Sequence, residues 1–413
     1  MFKKVSVIYS ISSVFKAGIQ MLVGLSIAKY ITPEDYGIWG SLNLVITYAM
    51  VLQLGTINGV NLNLPIAIGE KNNDKAKNII ETSQSYILVC MIIILLLGGA
   101  YLMVFGDNLS SKFFWGIFAI TFLIALTFYQ DFLTATFRTP NSFRKFSFIN
   151  IVQALVNFLT IGLIVYYSFF GLIFKSVLVI IFYVVLLHFH RPYKVTVKFN
   201  LKSWLELVKV GLPIFLLSYI QGSALSFDRI LLIKYTNLKD VGIYTFAYLA
   251  FSSVTLLSSS VASYIYPTMS HMYAENGSKK QLWKYLKRNI TYIFLGLFGL
   301  AIMGTIITPY VINIFFNQYS SSVPVMQILF FAGAFNGGVI GVNVLLSMKK
   351  WKYILFYHLF FASLLIICPL IFMNLYETKI LGIACGVLVA NIINFISAYS
   401  LVYLALLKGQ NDE

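Results

Sequence analysis

Apolar stretches of about 20 residues recur along the whole chain, separated by short polar segments. A stretch of that length crosses the hydrocarbon layer as one helix. The runs, such as Tyr86 to Phe105, are continuous. A membrane β-barrel would instead alternate over segments of about 10 residues. The pattern predicts twelve helical spans, near 7–28, 37–58, 84–105, 113–134, 147–167, 170–189, 210–232, 241–264, 289–309, 324–347, 353–373 and 380–406. The longest connections, near 190–209 and 266–288, are too small to form a catalytic domain. The fold class expected is an all-α polytopic membrane protein with about 12 transmembrane helices.

Composition agrees. Of 413 residues, 59% are hydrophobic and 11% charged, against about 45–50% and about 25% in soluble domains. That excludes a soluble enzyme, and equally a disordered chain. The net charge is +16, but the Lys and Arg residues sit in short loops between apolar runs, so no nucleic-acid partner is expected. Counting the N-terminus, the even-numbered loops and the C-terminus as one side gives 22 Lys and Arg there and 6 opposite. The bias puts both termini in the cytoplasm. Lys3 and Lys4 precede the first run and no A-x-A site follows, which predicts a membrane helix rather than a removed signal peptide. Cys90, Cys368 and Cys385 lie within apolar runs as small core residues.

The chain repeats itself. Lys29 to Ile38 aligns with Lys234 to Ile243 at an offset of 205, with five of ten positions identical: Lys29/Lys234, Tyr30/Tyr235, Asp35/Asp240, Gly37/Gly242 and Ile38/Ile243. The expected organisation is a six-helix lobe over 1–189, a cytoplasmic linker with an amphipathic segment over 190–209, and a second six-helix lobe over 210–413. Six spans per half make the repeats parallel. That is a transporter architecture, with a central cavity and a substrate site expected between the lobes.

Polar positions within the spans supply the candidate site. Span 1 carries Tyr9, Ser13, Lys16 and Gln20 on one helix face. Span 5 carries Asn150, Gln153, Asn157 and Thr160 with similar spacing. Span 4 carries Thr127, Asp131 and Thr134, with Arg138 near its cytoplasmic end, and span 7 carries Ser218, Gln221, Asp228 and Arg229. Lipid offers no hydrogen-bond partners, so such faces turn toward protein or a wet cavity. Lys16 lies mid-span, where a cation costs about 2.5–3.5 kcal/mol on insertion scales and needs a partner, a cavity or an anionic ligand. Lys175 lies near the outer end of span 6, where snorkelling is expected. Asp228 and Arg229 suit a gate, a reader of substrate charge or a helix-end clamp. Asp131 suits either proton or sodium coupling or a salt bridge to Arg138.

Absent motifs narrow the function. No Gly-Lys pair occurs, so there is no P-loop and no ATPase of that kind. His188 and His190 have no third ligand nearby in sequence, and no metal or cofactor is expected. Phe199 to Val208, with Trp204, reads as an interfacial linker, and Lys194, Lys198 and Lys202 beside it suit anionic headgroups.

Ala28 to Trp39 resembles the first-loop signature of the Wzx-type O-antigen translocases, and Phe227–Tyr235 with Val241–Tyr248 resembles their second-half signature. That family shares a superfamily with multidrug and toxin extruders and lipid II flippases, and the resemblance spans essentially the whole chain. It implies a MATE-like inner-membrane flippase, not an enzyme. Such a flippase carries an undecaprenyl-diphosphate-linked oligosaccharide from the cytoplasmic to the periplasmic leaflet, driven by an ion gradient such as H+ or Na+, membrane potential or downstream consumption. The implied partners are that lipid-linked oligosaccharide, membrane lipids, and a polysaccharide polymerase with its chain-length regulator. On this implication Lys16 meets the diphosphate, Arg229 receives it nearer the outer face, and span 5 amides satisfy sugar hydroxyls. A drug extruder of the same fold would want an acid-lined aromatic pocket, which Lys16 opposes. A glycan polymerase or ligase would want a sizeable outer loop, and the outer loops are short.

Overall fold

The computed structural model describes residues 2–137, 143–276, 279–342, 344–345, 348 and 350–407. Helix dominates and no strand occurs among them. The first half runs α1 (Phe2–Tyr30), α2 (Pro33–Ala49), α3 (Thr56–Gly69), α4 (Asn73–Phe105), α5 (Ser111–Phe137), α6 (Phe143–Leu159) and α7 (Ile161–Phe189). The second runs α8 (Leu201–Leu225), α9 (Phe227–Tyr235), α10 (Leu238–Asn276), α11 (Lys279–Phe315), α12 (Val323–Gly337), α13 (Trp351–Leu375) and α14 (Lys379–Leu407). Over its described residues, each predicted span falls mainly on helix. Nine helices among the described residues are long and apolar enough to cross a membrane, and the bent α2–α3 pair makes a tenth.

Two spans depart from straight helices for local reasons. Leu54 and Gly55 both take left-handed backbone conformations, with φ of 47° and 74°, and bend the chain by 55° between α2 and α3. Gly55 tolerates this because it has no Cβ. Span 2 therefore continues past its predicted end, to Gly69. Ser168, with φ of 48°, breaks α7. Gly171 lies so close to the Leu163 carbonyl that a Cβ would overlap it, so the chain folds back on itself there. This is the predicted turn between spans 5 and 6.

The chain forms two compact units. The first comprises Met1–Ile31 and Ile38–Tyr219. In it α1 packs on α6, α4 on α5, and α5 on α7, around the buried rings of Phe128, Phe132 and Phe137. The segment after α7 is tied down: the Thr196 hydroxyl donates to Glu81 at 2.8 Å, and Trp204 Nε1 donates to Thr56 at 3.1 Å. Trp204 lies in the first turns of α8, one continuous helix to Leu225 rather than a separate interfacial segment.

The second unit comprises Thr32–Gly37 and Ile220–Glu413. There α13 packs on α14, and α12 on α10, α11 and α14. The sequence repeat is also a structural one. Helix α1 ends at Tyr30 and α2 begins at Pro33; α9 ends at Tyr235 and α10 begins at Leu238, the same offset of 205. The caps match, too. Thr32 Oγ1 accepts from the Asp35 amide at 3.3 Å, and Asn237 Oδ1 accepts from the Asp240 amide at 2.9 Å. Within this unit the two motifs meet backbone to backbone. A Cβ on Gly37 would strike the Leu238 carbonyl, and one on Gly242 would strike the Pro33 carbonyl, the reciprocal pair under the same offset.

This crossing sets a test. Gly37→Ala or Gly242→Ala forces the two helix starts apart, at about 1–3 kcal/mol each. Gly99→Ala, where a Cβ meets nothing within 4 Å, is neutral or better. Thermal unfolding of the purified protein in detergent checks this; equal midpoints for all three would refute the close crossing.

Candidate functional site

In the first unit, the turn at Ser168 lays α7 back along α6 and pairs their polar side chains in two rungs. The Lys175 ammonium donates to Asn157 Oδ1. About two turns deeper, the Tyr183 hydroxyl donates to Asn150 Oδ1 at 2.7 Å. Helix α1 packs against both helices and places Lys16 Nζ over the Tyr183 ring, 4.5 Å from its centre. Gln153 lies between the rungs on α6, and its Oε1 is buried without a hydrogen-bond partner. Sequence patterning placed Lys16 and the span 5 amides on separate stripes; the fold gathers them into one cluster.

Lys175 corrects the expectation of snorkelling. It is only 4% exposed, because the turn at Ser168 carries its stem inward toward Asn157 rather than outward. Among the described residues no carboxylate pairs with Lys16 or Lys175. Asn157 supplies a dipole and the Tyr183 ring a quadrupole, so the cluster holds two ammonium groups with no compensating full charge.

The other members of the predicted stripes lie elsewhere. Gln20 is exposed on α1, and Thr160 bonds back to Val156 and Asn157 carbonyls of its own helix. The side chains of Tyr9 and Ser13 and the whole of Arg138 lie outside the described residues. Asp131 accepts from Gln53 Nε2 at 3.0 Å, a partner supplied by the short turn that ends α2. His188 shares a hydrogen bond of 2.7 Å with the Tyr129 hydroxyl.

In the second unit, Asp228 and Arg229 open α9 and form a closed polar cluster. Asp228, 3% exposed, accepts from the Tyr244 hydroxyl at 2.7 Å and from the Arg229 amide at 2.7 Å. Arg229 Nε lies 3.7 Å from the same carboxylate, and the guanidinium stacks over Tyr248 at 4.1 Å. One acid is thus matched by one cation and a phenol, so the cluster is neutral overall. Gln221, one helix earlier, is half-buried and outside this cluster. Sequence reading found Asp228 and Arg229 but gave no role to Tyr183, Tyr244 or Tyr248, although the last two lie within the Val241–Tyr248 signature.

The Asp228 cluster sets a second test. Tyr244→Phe leaves a buried carboxylate short of a donor and costs about 1–3 kcal/mol. Tyr166→Phe, at a ring 84% exposed, costs nothing measurable. Thermal unfolding of the two variants compares them, and equal midpoints would rule out the Tyr244–Asp228 bond.

Comparison with known proteins fixes the fold. The chain resembles an inward-facing multidrug resistance MATE family transporter of the MOP superfamily, with a TM-score of 0.78 at 13% identity over 98% of this chain and 99% of that one. It resembles the inward closed conformation of the lipid II flippase MurJ with a TM-score of 0.71 at 16% identity, over 97% of this chain and 87% of that one. An outward-facing MATE transporter gives a TM-score of 0.64 at 14% identity, over 100% and 97%. Among curated proteins no sequence matches. The sequence model described as polysaccharide biosynthesis protein matches residues 27–324, and the chain belongs to that family.

Proposed function

We propose that this protein is a flippase. Its cargo is an undecaprenyl-diphosphate-linked oligosaccharide repeat unit, carried from the cytoplasmic to the periplasmic leaflet of the bacterial inner membrane by alternating access. The observation that carries this reading is the cluster of Lys16 and Lys175 with three amides and no acid. Each embedded cation costs about 2.5–3.5 kcal/mol on insertion scales. An interhelical hydrogen bond such as that from Lys175 to Asn157 returns about 0.6 kcal/mol on average. A diphosphate supplies the missing negative charge, and Asn150, Gln153 and Asn157 are suited to sugar hydroxyls. The need for a path is severe, since one unpartnered hydroxyl in hydrocarbon costs about 4–8 kcal/mol. The family match and the fold shared with a lipid II flippase support the same class of cargo. A drug extruder built for organic cations would find the two ammonium groups repulsive.

Deletion of the gene, with surface-glycan analysis and extraction of lipid-linked intermediates, tests the reading. The expected result is loss of long-chain glycan and accumulation of single lipid-linked units on the cytoplasmic leaflet. Complementation with Lys16→Gln/Lys175→Gln restores less than about a tenth of export at equal membrane abundance, as losing charge-assisted contacts worth about 1.5–3 kcal/mol predicts. Lys16→Arg/Lys175→Arg retains a larger share, because the charge persists. Normal glycan with heightened sensitivity to cationic drugs would replace this reading with the extruder.

A further inference from the structure

The loop between α9 and α10 and the loop between α13 and α14 meet in the second unit and border an open cleft of about 470 Å³. Lys379 holds the two loops together: its Nζ donates to the Tyr235 carbonyl at 3.1 Å and lies 5.7 Å from the Tyr235 ring centre. Tyr235 is 40% exposed. The remaining lining that matters here is Asn237, Asp240, Glu377 and Thr378. Asn237 uses its carbonyl oxygen to cap α10, on the Asp240 amide. Neither the Asp240 nor the Glu377 carboxylate is bonded to another side chain among the described residues. The charge-bias reading assigned both loops to the same, outer side.

This chemistry selects its ligand. The lining is about evenly polar and apolar, wetter than the apolar pockets that hold drug-like molecules. Two carboxylates and a hydroxyl accept hydrogen bonds from a dense array of O–H donors, and the Asn237 amide nitrogen donates to the oxygens of the same array. The exposed Tyr235 ring gives a flat apolar surface with a polar tip beside them. Two acids, Asp240 and Glu377, share the lining with one cation, Lys379, so the lining holds no excess cation for a phosphate. We infer that this cleft binds a neutral, hydroxyl-rich saccharide. The inference rests on the export reading above, and it assigns the sugar part of the cargo a docking place on the face where the cargo emerges. The same chemistry would take a free saccharide, so the test separates the two sources.

Saturation-transfer difference NMR on the full chain in nanodiscs, with lactose, chitobiose and a uronic-acid disaccharide as probes at about 20 mM, reads the site directly. Transfer to the neutral disaccharides is expected, and much less to the acidic one. Glu377→Ala and Tyr235→Leu, both at exposed positions, should each weaken binding by about tenfold. No transfer to wild type overturns the inference. Transfer unchanged in both variants overturns it as well, since the sugar then binds elsewhere. In cells, reduced export by the two variants supports docking of the lipid-linked sugar. Full export by both overturns that docking role and leaves only free saccharide as the ligand. The export reading fails on a different result, normal surface glycan in the deletion strain. Loss of export in the Lys16/Lys175 variant with no saccharide transfer sinks the cleft alone.

Discussion

Hydrocarbon provides no hydrogen bonds and no counter-ions, so every polar side chain within a span must find its partner inside the protein. That constraint explains the internal arrangement of both units. Thr127, Thr134, Thr160 and Ser176 each turn their hydroxyl back to a carbonyl of their own helix. Asp131 takes Gln53, and Asn150 takes Tyr183. The same constraint makes exceptions informative. Lys16 and Lys175 are held by an amide and an aromatic ring, partners that soften a positive charge without cancelling it.

The two halves solve the problem differently. The offset that superposes the repeated caps also sets Lys16 opposite Gln221, a neutral side chain. The embedded charge of the second unit lies instead at Asp228 and Arg229, where an acid and a cation lie side by side against two phenols. A duplication kept only for packing would have no reason to leave one half cationic and the other neutral. The shared part of the repeat is mechanical: matched helix caps and a glycine crossing that lets two backbones touch. The chemistry is what has diverged.

Much of this was legible in the sequence. Twelve apolar runs, the turn near Ser168 and the 205-residue repeat follow from periodicity and identity, because lipid contact fixes span length and composition. The gathering of Lys16 with Asn150 and Asn157 was not legible, since helical periodicity gives each stripe a direction on its own helix and says nothing of the neighbour it meets. Lys175 was misjudged for a related reason. Its depth was counted from the edge of an apolar run, whereas its environment is set by Asn157 on the helix it folds back against. A register argument across the tight turn would have found the pair, since Asn157–Lys175 and Asn150–Tyr183 are successive rungs of one hairpin. Asp131 accepts from Gln53, distant in sequence and brought close by the fold, while the salt bridge expected with Arg138 falls on a residue outside the described ones.

The difference between the two charged clusters also separates stability from ligand chemistry. A buried acid with matched donors loses more when one partner is removed than it gains from anything added, because the remaining groups are already desolvated and aligned. The Asp228 cluster is of that kind and is suited to holding the start of α9. Two cations without an acid are in the opposite position. Their desolvation has been spent in folding, while most of the possible electrostatic return is still outstanding. An anion entering such a site encounters little further desolvation on the protein side and meets charge in a medium of low dielectric. Selection for stability alone would replace Lys16 or Lys175 with apolar side chains. On the flippase reading proposed above, their presence in a chain so poor in embedded charge reflects a cargo that brings the missing sign with it, and that lets go when it returns to water.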